Sequence, residues 1–67
     1  MNILLNNRET PLNFNNITVE KLLQIQKFSF KLLIVRINDV LVKKPDYPTT
    51  VINDGDKVDV IHLMSGG

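Results

Sequence analysis

Few side chains in this sequence could do covalent chemistry, and their types narrow the choices at once. There is no cysteine, which removes thiol catalysis and cysteine-based metal sites together. His62 is the single histidine; with no second histidine or cysteine to work with, it reads as a packing or rim residue rather than a base or a ligand. The acids Asp39, Asp46, Asp54, Asp56 and Asp59 are dispersed or sit in turn sequences. No two of them fall together on a predicted helix with the spacing that suits a metal ion or an acid/base pair. No catalytic residue, metal site or bound cofactor is therefore expected. Lys43-Lys44 reads as a solvated loop pair. What remains is the end of the chain, Ser65-Gly66-Gly67. Small residues, the last two without Cβ, give a minimal cross-section and high flexibility, so this segment can thread a narrow channel. Taken alone, a terminal Gly-Gly is more often a frayed end than a functional one, and the pattern leading into it must decide.

That pattern is Val58-Asp59-Val60-Ile61-His62-Leu63-Met64, which alternates as a strand. If Val58 and Val60 face a core, Asp59 faces water, and a period of two puts Ile61 and Leu63 on that same outer face. Two apolar side chains then stand where polar ones belong. They are ordinary surface residues or a contact patch for a partner, and the pattern leaves both open. Met64 reads as strand-end packing next to that patch.

Composition bounds the rest. A chain of 67 residues with 43% hydrophobic content and a formal charge of +1 describes one small domain without a second. A domain of this size buries only about 60% of its unfolded surface, so its core must come from well-patterned apolar residues. Eight Lys+Arg against seven Asp+Glu, spread along the chain, give no basic footprint for a phosphate backbone, which argues against nucleic acid as a partner. The longest apolar run, Leu32 to Val35, falls far short of the roughly 20 residues that cross a bilayer, and no signal-peptide pattern opens the sequence. A soluble, non-exported protein in a reducing compartment is the expectation.

The elements that would hold the tail follow from periodicity. Met1, Ile3 and Leu5 share one face of a strand; Asn6-Asn7 tolerates positive φ and predicts a hairpin. With that pair at the turn centre, Leu5 sits opposite Arg8, Ile3 opposite Thr10 and Met1 opposite Leu12, so that Leu12 and Phe14 join the buried face and Pro11 lies at an edge or bulge. Thr18 is a good N-cap, Glu20 falls in the first turn and Ile17 can staple onto Leu22, which predicts a helix ending near Lys27 with Val19, Leu22 and Leu23 as its buried stripe. Phe28-Ser29-Phe30 reads as a connection. Leu33 to Asn38 is a strand with Leu33, Val35 and Ile37 inward. A short piece follows at Val40 to Val42, then a breaker-rich loop from Lys43 to Pro48, and Val51-Ile52 re-enters the core. Asn53-Asp54-Gly55-Asp56 is a turn, with Gly55 the natural residue for positive φ. Eight asparagines fall mainly at turns and read as punctuation.

Taken together, the strand-turn-strand opening, the Thr-Val-capped helix, Val35-Arg36-Ile37-Asn38, the Asn53-to-Asp56 turn, the apolar last strand and Gly66-Gly67 resemble the ubiquitin-like sulfur-carrier family, most closely its thiamine-pathway branch. The resemblance runs over essentially the whole chain and is most specific at Asp54-Gly55-Asp56 and the terminal Gly-Gly. Three departures are visible: Tyr47 stands where the family often has tryptophan, the stretch before the helix lacks the usual glycine, and Phe28 to Lys31 is unusually apolar.

The resemblance implies an α+β, ubiquitin-like β-grasp fold over residues 1–64, a mixed sheet of four or five strands with one helix across it, followed by a tail at 65–67. It implies that the protein is a carrier and not an enzyme. The Gly67 carboxylate would be adenylated by an E1-like enzyme, which uses the ATP, and converted to a thiocarboxylate with sulfur from a persulfide protein. A thiazole synthase would then receive the sulfur. Gly66 and Gly67 would permit entry into the adenylating site, with Ser65 and Gly66 forming the tail, and Ile61, Leu63 and Met64 would form the surface the partner recognises. The compartment implied is the cytoplasm or a plastid stroma. A carrier for molybdopterin or tRNA thiolation, a ubiquitin-like modifier and a plain β-grasp binding module share the fold. The approach His62-Leu63-Met64-Ser65 lacks the proline of the molybdopterin type and favours the thiamine branch.

Overall fold

The computed structural model describes residues 1–28 and 33–63. Strands β1 (Asn2–Leu5) and β2 (Arg8–Pro11) open the chain, and β3 (Asn16–Thr18) runs directly into helix α1 (Val19–Ile25). A second hairpin consists of β4 (Leu33–Ile37) and β5 (Val40–Val42); a 3-10 turn at Lys44–Asp46 leads to β6 (Val51–Asn53), and β7 (Lys57–His62) comes last. One mixed sheet has the order β2-β1-β7-β4-β5, and β3 pairs with β6 in a separate ribbon. The first and last strands of that sheet are neighbours and parallel, Leu5 lying beside Val58. This is the β-grasp architecture that the resemblance implies.

Both hairpins are made by the same local chemistry. Asn6 and Asn7 have φ of 51° and 66°, and Asn38 and Asp39 have 50° and 68°. Positive φ at both central residues defines the type I′ turn, whose twist matches that of the flanking strands. Asparagine and aspartate tolerate this region better than other side chains with a Cβ. The first turn sets the expected register, with Leu5 opposite Arg8 and Ile3 opposite Thr10. Met1 and Leu12 extend it by exchanging backbone hydrogen bonds, each of 2.7 Å. Pro11 lies on the edge strand.

The core joins the helix stripe to the inner face of the sheet. Val19, Leu22 and Leu23 are fully buried and cluster with Ile3, Leu5, Val35, Val58 and Val60, while Ile37 and Leu33 pack partly buried at the margin. Ile17, Val42, Tyr47 and Ile52 complete it. Burial pushes the Tyr47 phenol above its ordinary pKa, because the ionised form would lose its hydration. Tyr47 also closes the helix N-terminus. Its carbonyl accepts from Glu20 N, the Thr50 carbonyl accepts from Val19 N, and Thr18 Oγ1 accepts from Lys21 N at 3.1 Å. All three of the first helical N–H groups, which have no partner within a helix, are thereby satisfied.

Several expectations need correction. Phe14 is 40% exposed and not part of the buried face, because the chain bends at 13–15 to carry β3 alongside β6. β3 itself is too short and polar to show in the alternation. Asn38 is a turn residue and not the end of β4. Only Ile52 of the Val51-Ile52 pair enters the core; Val51 is exposed. The last strand ends at His62 and not at Met64, which lies outside the described residues, as does most of the expected connection at 28–30.

The helix stops at Ile25, two residues before Lys27. Lys27 takes φ 58°, and its N–H donates to the Gln24 carbonyl while Phe28 N–H donates to the Leu23 carbonyl. This is the Schellman arrangement, in which two otherwise unpaired helix carbonyls are satisfied and the next apolar residue, here Phe28, returns to the core. Lysine in the left-handed region costs about 1–2 kcal/mol relative to a residue free of Cβ strain. Lys27→Gly should therefore raise the unfolding free energy by about 1 kcal/mol, seen as a higher urea midpoint at unchanged slope. A lower midpoint would show that Lys27 holds this end in some other way.

Candidate functional site

β7 is the last strand among the described residues and is held from both sides, by β4 along one edge and by β1 and Asn6 along the other. Against β4 it runs antiparallel, with Val60 opposite Val35 and Val58 opposite Ile37 on the inner face. On the outer face Asp59 is opposite Arg36 and Ile61 opposite Ile34; Leu41 of β5 is opposite Arg36 from the other side. The residues predicted to point outward do so: Ile61 is 38% and Leu63 46% exposed. With Ile34 and the well-exposed Leu41 they make an apolar surface around the Arg36–Asp59 pair. Arg36 Nε is buried there without a hydrogen-bond partner among the described residues. His62 lies on the opposite face at the rim, its ring 5.5 Å from that of Phe28, which is the packing role expected of it.

Two asparagines, one expected in a turn and the other at the end of a strand, position β7. β1 ends at Leu5, so the edge of β7 beyond Val58 has no strand beside it. Asn6 fills the gap: its backbone N–H donates to the Val58 carbonyl at 2.9 Å, its Nδ2 donates to the Val60 carbonyl at 3.2 Å, and its Oδ1 accepts from Val60 N at 2.8 Å. The carboxamide thus does for Val60 what one more residue of β1 would do. Asn38 acts similarly at the start of β7, its Oδ1 accepting from Lys57 N at 3.0 Å and its backbone N–H donating to the Lys57 carbonyl at 2.7 Å.

The Asn53-to-Asp56 turn ties these pieces together. Gly55 has φ 85°, and its N–H donates to the Asn2 carbonyl. Asp54 Oδ1 accepts from Asn2 N at 2.6 Å. One Asp56 oxygen accepts from Asn53 N at 2.9 Å and the other from Asn38 Nδ2 at 3.1 Å. The turn therefore joins the start of β1, the β4–β5 hairpin and the entry to β7. Charge contributes little, since the Lys57–Asp39 contact of 3.4 Å is between exposed groups.

Met64, Ser65, Gly66 and Gly67 lie outside the described residues, as does the expected boundary between domain and tail. Among the described residues no group of three or more His, Cys, Asp or Glu side chains could hold a metal ion. No helix there is long and apolar enough to cross a membrane.

Comparison with known proteins gives a consistent picture. The model of the ThiS family matches residues 3–67. The crystal structure of a thiamine biosynthesis protein (ThiS) from Geobacter metallireducens superposes with a TM-score of 0.89 at 25% identity, covering 100% of both chains. A solution structure of a thiamine biosynthesis protein from the same organism gives 0.83 at 25% identity, covering 100% of this chain and 88% of that one. No curated protein sequence matches the chain.

The Asn6 clamp is open to direct measurement. Asn6→Gly keeps a residue suited to φ 51° but removes both side-chain bonds to Val60, so the Val60 amide should exchange with solvent at least tenfold faster and stability should fall by about 1–2 kcal/mol. Unchanged Val60 exchange would mean that the carboxamide is incidental.

Proposed function

The chain belongs to the ThiS family, and on that premise we infer that this sulfur carrier of thiamine biosynthesis works through its last carboxylate. The observation that carries the reading is the family match, which extends through Gly66 and Gly67. The chain is a carrier and does not itself catalyse the reactions in which it takes part, so its partner enzymes must supply the chemistry.

A free carboxylate is a poor electrophile. In the reaction proposed, a Gly67 carboxylate oxygen attacks the α-phosphorus of ATP in the site of an E1-like enzyme, pyrophosphate leaves, and an acyl-adenylate results. The terminal sulfur of a persulfide protein attacks the acyl carbon and AMP leaves. A thiol then cleaves the S–S bond, which frees the thiocarboxylate at Gly67. Sulfur nucleophiles react as anions, and the thiocarboxylate is anionic near neutral pH, ready for a thiazole synthase. Gly66 and Gly67, without Cβ, keep the end of the tail thin enough to enter the adenylating site, and Ser65 before them is small. ATP belongs to the activating partner, and the carrier itself holds no cofactor or metal. Cytoplasm or plastid stroma is the compartment proposed.

The partner surface proposed is the outer end of β7, Ile61 and Leu63 with Met64 beyond them. Apolar anchors near the centre of an interface commonly dominate affinity. The exposure of Ile61 and Leu63 supports the assignment, and their position immediately before the tail would seat the partner where Gly67 must arrive.

Two measurements test this. Removing Gly67, or adding one residue after it, should leave thermal stability within about 0.5 kcal/mol yet abolish pyrophosphate exchange with the cognate adenylating enzyme and the gain of one sulfur for one oxygen by intact mass. If the shortened chain supports exchange and takes up sulfur at the normal rate, a β-grasp binding module replaces the carrier. Separately, Ile61→Asp should weaken binding to the adenylating enzyme by tenfold or more, about 1.4 kcal/mol, with the folded spectrum intact; unaltered binding would place the partner elsewhere.

A further inference from the structure

The two edges of the main sheet differ in how they meet solvent. In an antiparallel pair only alternate residues turn their N–H and C=O toward the partner strand, and on an edge strand the others face outward. On β2 the pairs Met1–Leu12, Ile3–Thr10 and Leu5–Arg8 take the inward bonds, so Glu9 and Pro11 face out. Pro11 has no N–H to offer and Glu9 is charged, two devices that keep an edge from pairing. On β5 the bonds to β4 come from Val40 and Val42, opposite Ile37 and Val35; the Asn38 N–H bond to Lys57 confirms that the even-numbered positions of β4 face β7 instead. Leu41 therefore points both its backbone groups away from the sheet. It carries no charge, and β5 is apolar throughout, with Leu41 57% and Val40 66% exposed.

We propose that the β5 edge pairs with β5 of a second copy, antiparallel and centred on Leu41. The sequence around this strand is complementary to itself about that residue. A two-fold axis at Leu41 places Val40 opposite Val42 of the other copy and Asp39 opposite its Lys43, so the ends of the paired strands carry two opposite-charge contacts. Asp39 and Lys43 are both exposed, and the long Asp39–Lys57 contact of 3.4 Å is easily exchanged. Leu41 would meet its own copy through both outward hydrogen bonds, and the two outer faces would join into one. Identical surfaces related by a two-fold axis close as a dimer and do not propagate. Three residues on each side make a small interface, so the association is weak and depends on concentration. β4 separates the join from β7, so self-pairing is independent of the carrier reading.

The test is a dilution series of the full chain up to about 1 mM, followed by sedimentation equilibrium and by backbone amide shifts. The expected result is a monomer–dimer equilibrium with concentration-dependent shifts confined to Asp39–Lys43 and their neighbours. Leu41→Pro removes the outward N–H together with the exposed leucine side chain, neither of which the fold of the single chain uses, and should leave the remaining amide spectrum folded while reducing association at least tenfold. Lys43→Asp should weaken association several-fold, and the double variant Asp39→Asn with Lys43→Asp, which removes the like-charge pairs while keeping a residue suited to φ 68°, should recover at least twofold of it. A monomer at every concentration overturns the proposal. So does association that survives Leu41→Pro, or a double variant no better than Lys43→Asp alone.

Discussion

The parallel join of β7 to β1 is the constraint on which the rest of the structure depends. β7 lies between β1, parallel to it at Lys57 and Val58, and β4, antiparallel to it from Val58 to His62, and its inner residues Val58 and Val60 lie against the helix stripe. A parallel pair cannot be made by a tight turn, so joining β1 to β7 obliges the chain to travel through the helix, the second hairpin and β6 before it returns. The hydrogen bonds that close this circuit, from Asn2 and Asn6 to residues 54 to 60, span more than fifty positions. Such contacts form only when the whole domain is folded.

The polar residues that close the circuit are all short amides and acids. Asn6, Asn38 and Asp54 each combine a turn conformation or turn position with a side-chain bond to a distant strand, and Asp56 bonds the distant turn at Asn38. A carboxamide offers a donor and an acceptor in the geometry of a peptide group, which is why Asn6 can replace a missing strand residue beside Val60. The same side chains also populate positive φ at low cost. One residue type thus serves two needs, and this accounts for part of the asparagine content in physical terms.

The two faces of the sheet are used differently. The inner face is filled by Val19, Leu22, Leu23 and their partners, while the outer face keeps Ile34, Leu41 and Ile61 around Arg36 and Asp59. A small domain has little apolar surface to spare, so apolar residues left on the outer face beside the strand that precedes Gly66-Gly67 are consistent with a protein that works by docking. The proposed carriage of a group on Gly67 requires a rigid body for partners to grip, and the anchoring of β7 by β4 on one side and by β1 and Asn6 on the other supplies it.

Local period determined much of this from the sequence alone. Alternation at Met1 to Leu5, Leu33 to Ile37 and Val58 to Leu63, helical spacing at Val19, Leu22 and Leu23, and turn chemistry at Asn6-Asn7 and Asp54-Gly55-Asp56 specify the first hairpin's register, the helix stripe and the inward and outward residues of the last strand. Each of these depends on neighbours within a few positions. Tertiary structure alone decided that Asn16–Thr18 is a strand, since its partner is β6 and its own alternation is too short to register. It decided that Tyr47 is core, because a loop residue is buried only by what folds over it. It turned Phe14 outward where the chain bends toward β3, and it placed Lys27 in a left-handed cap so that Phe28 could return to the helix. The roles of Asn6 and Asp56 were likewise out of reach of pattern, because a turn sequence states which φ a residue tolerates but not which strand will lie within reach of its side chain.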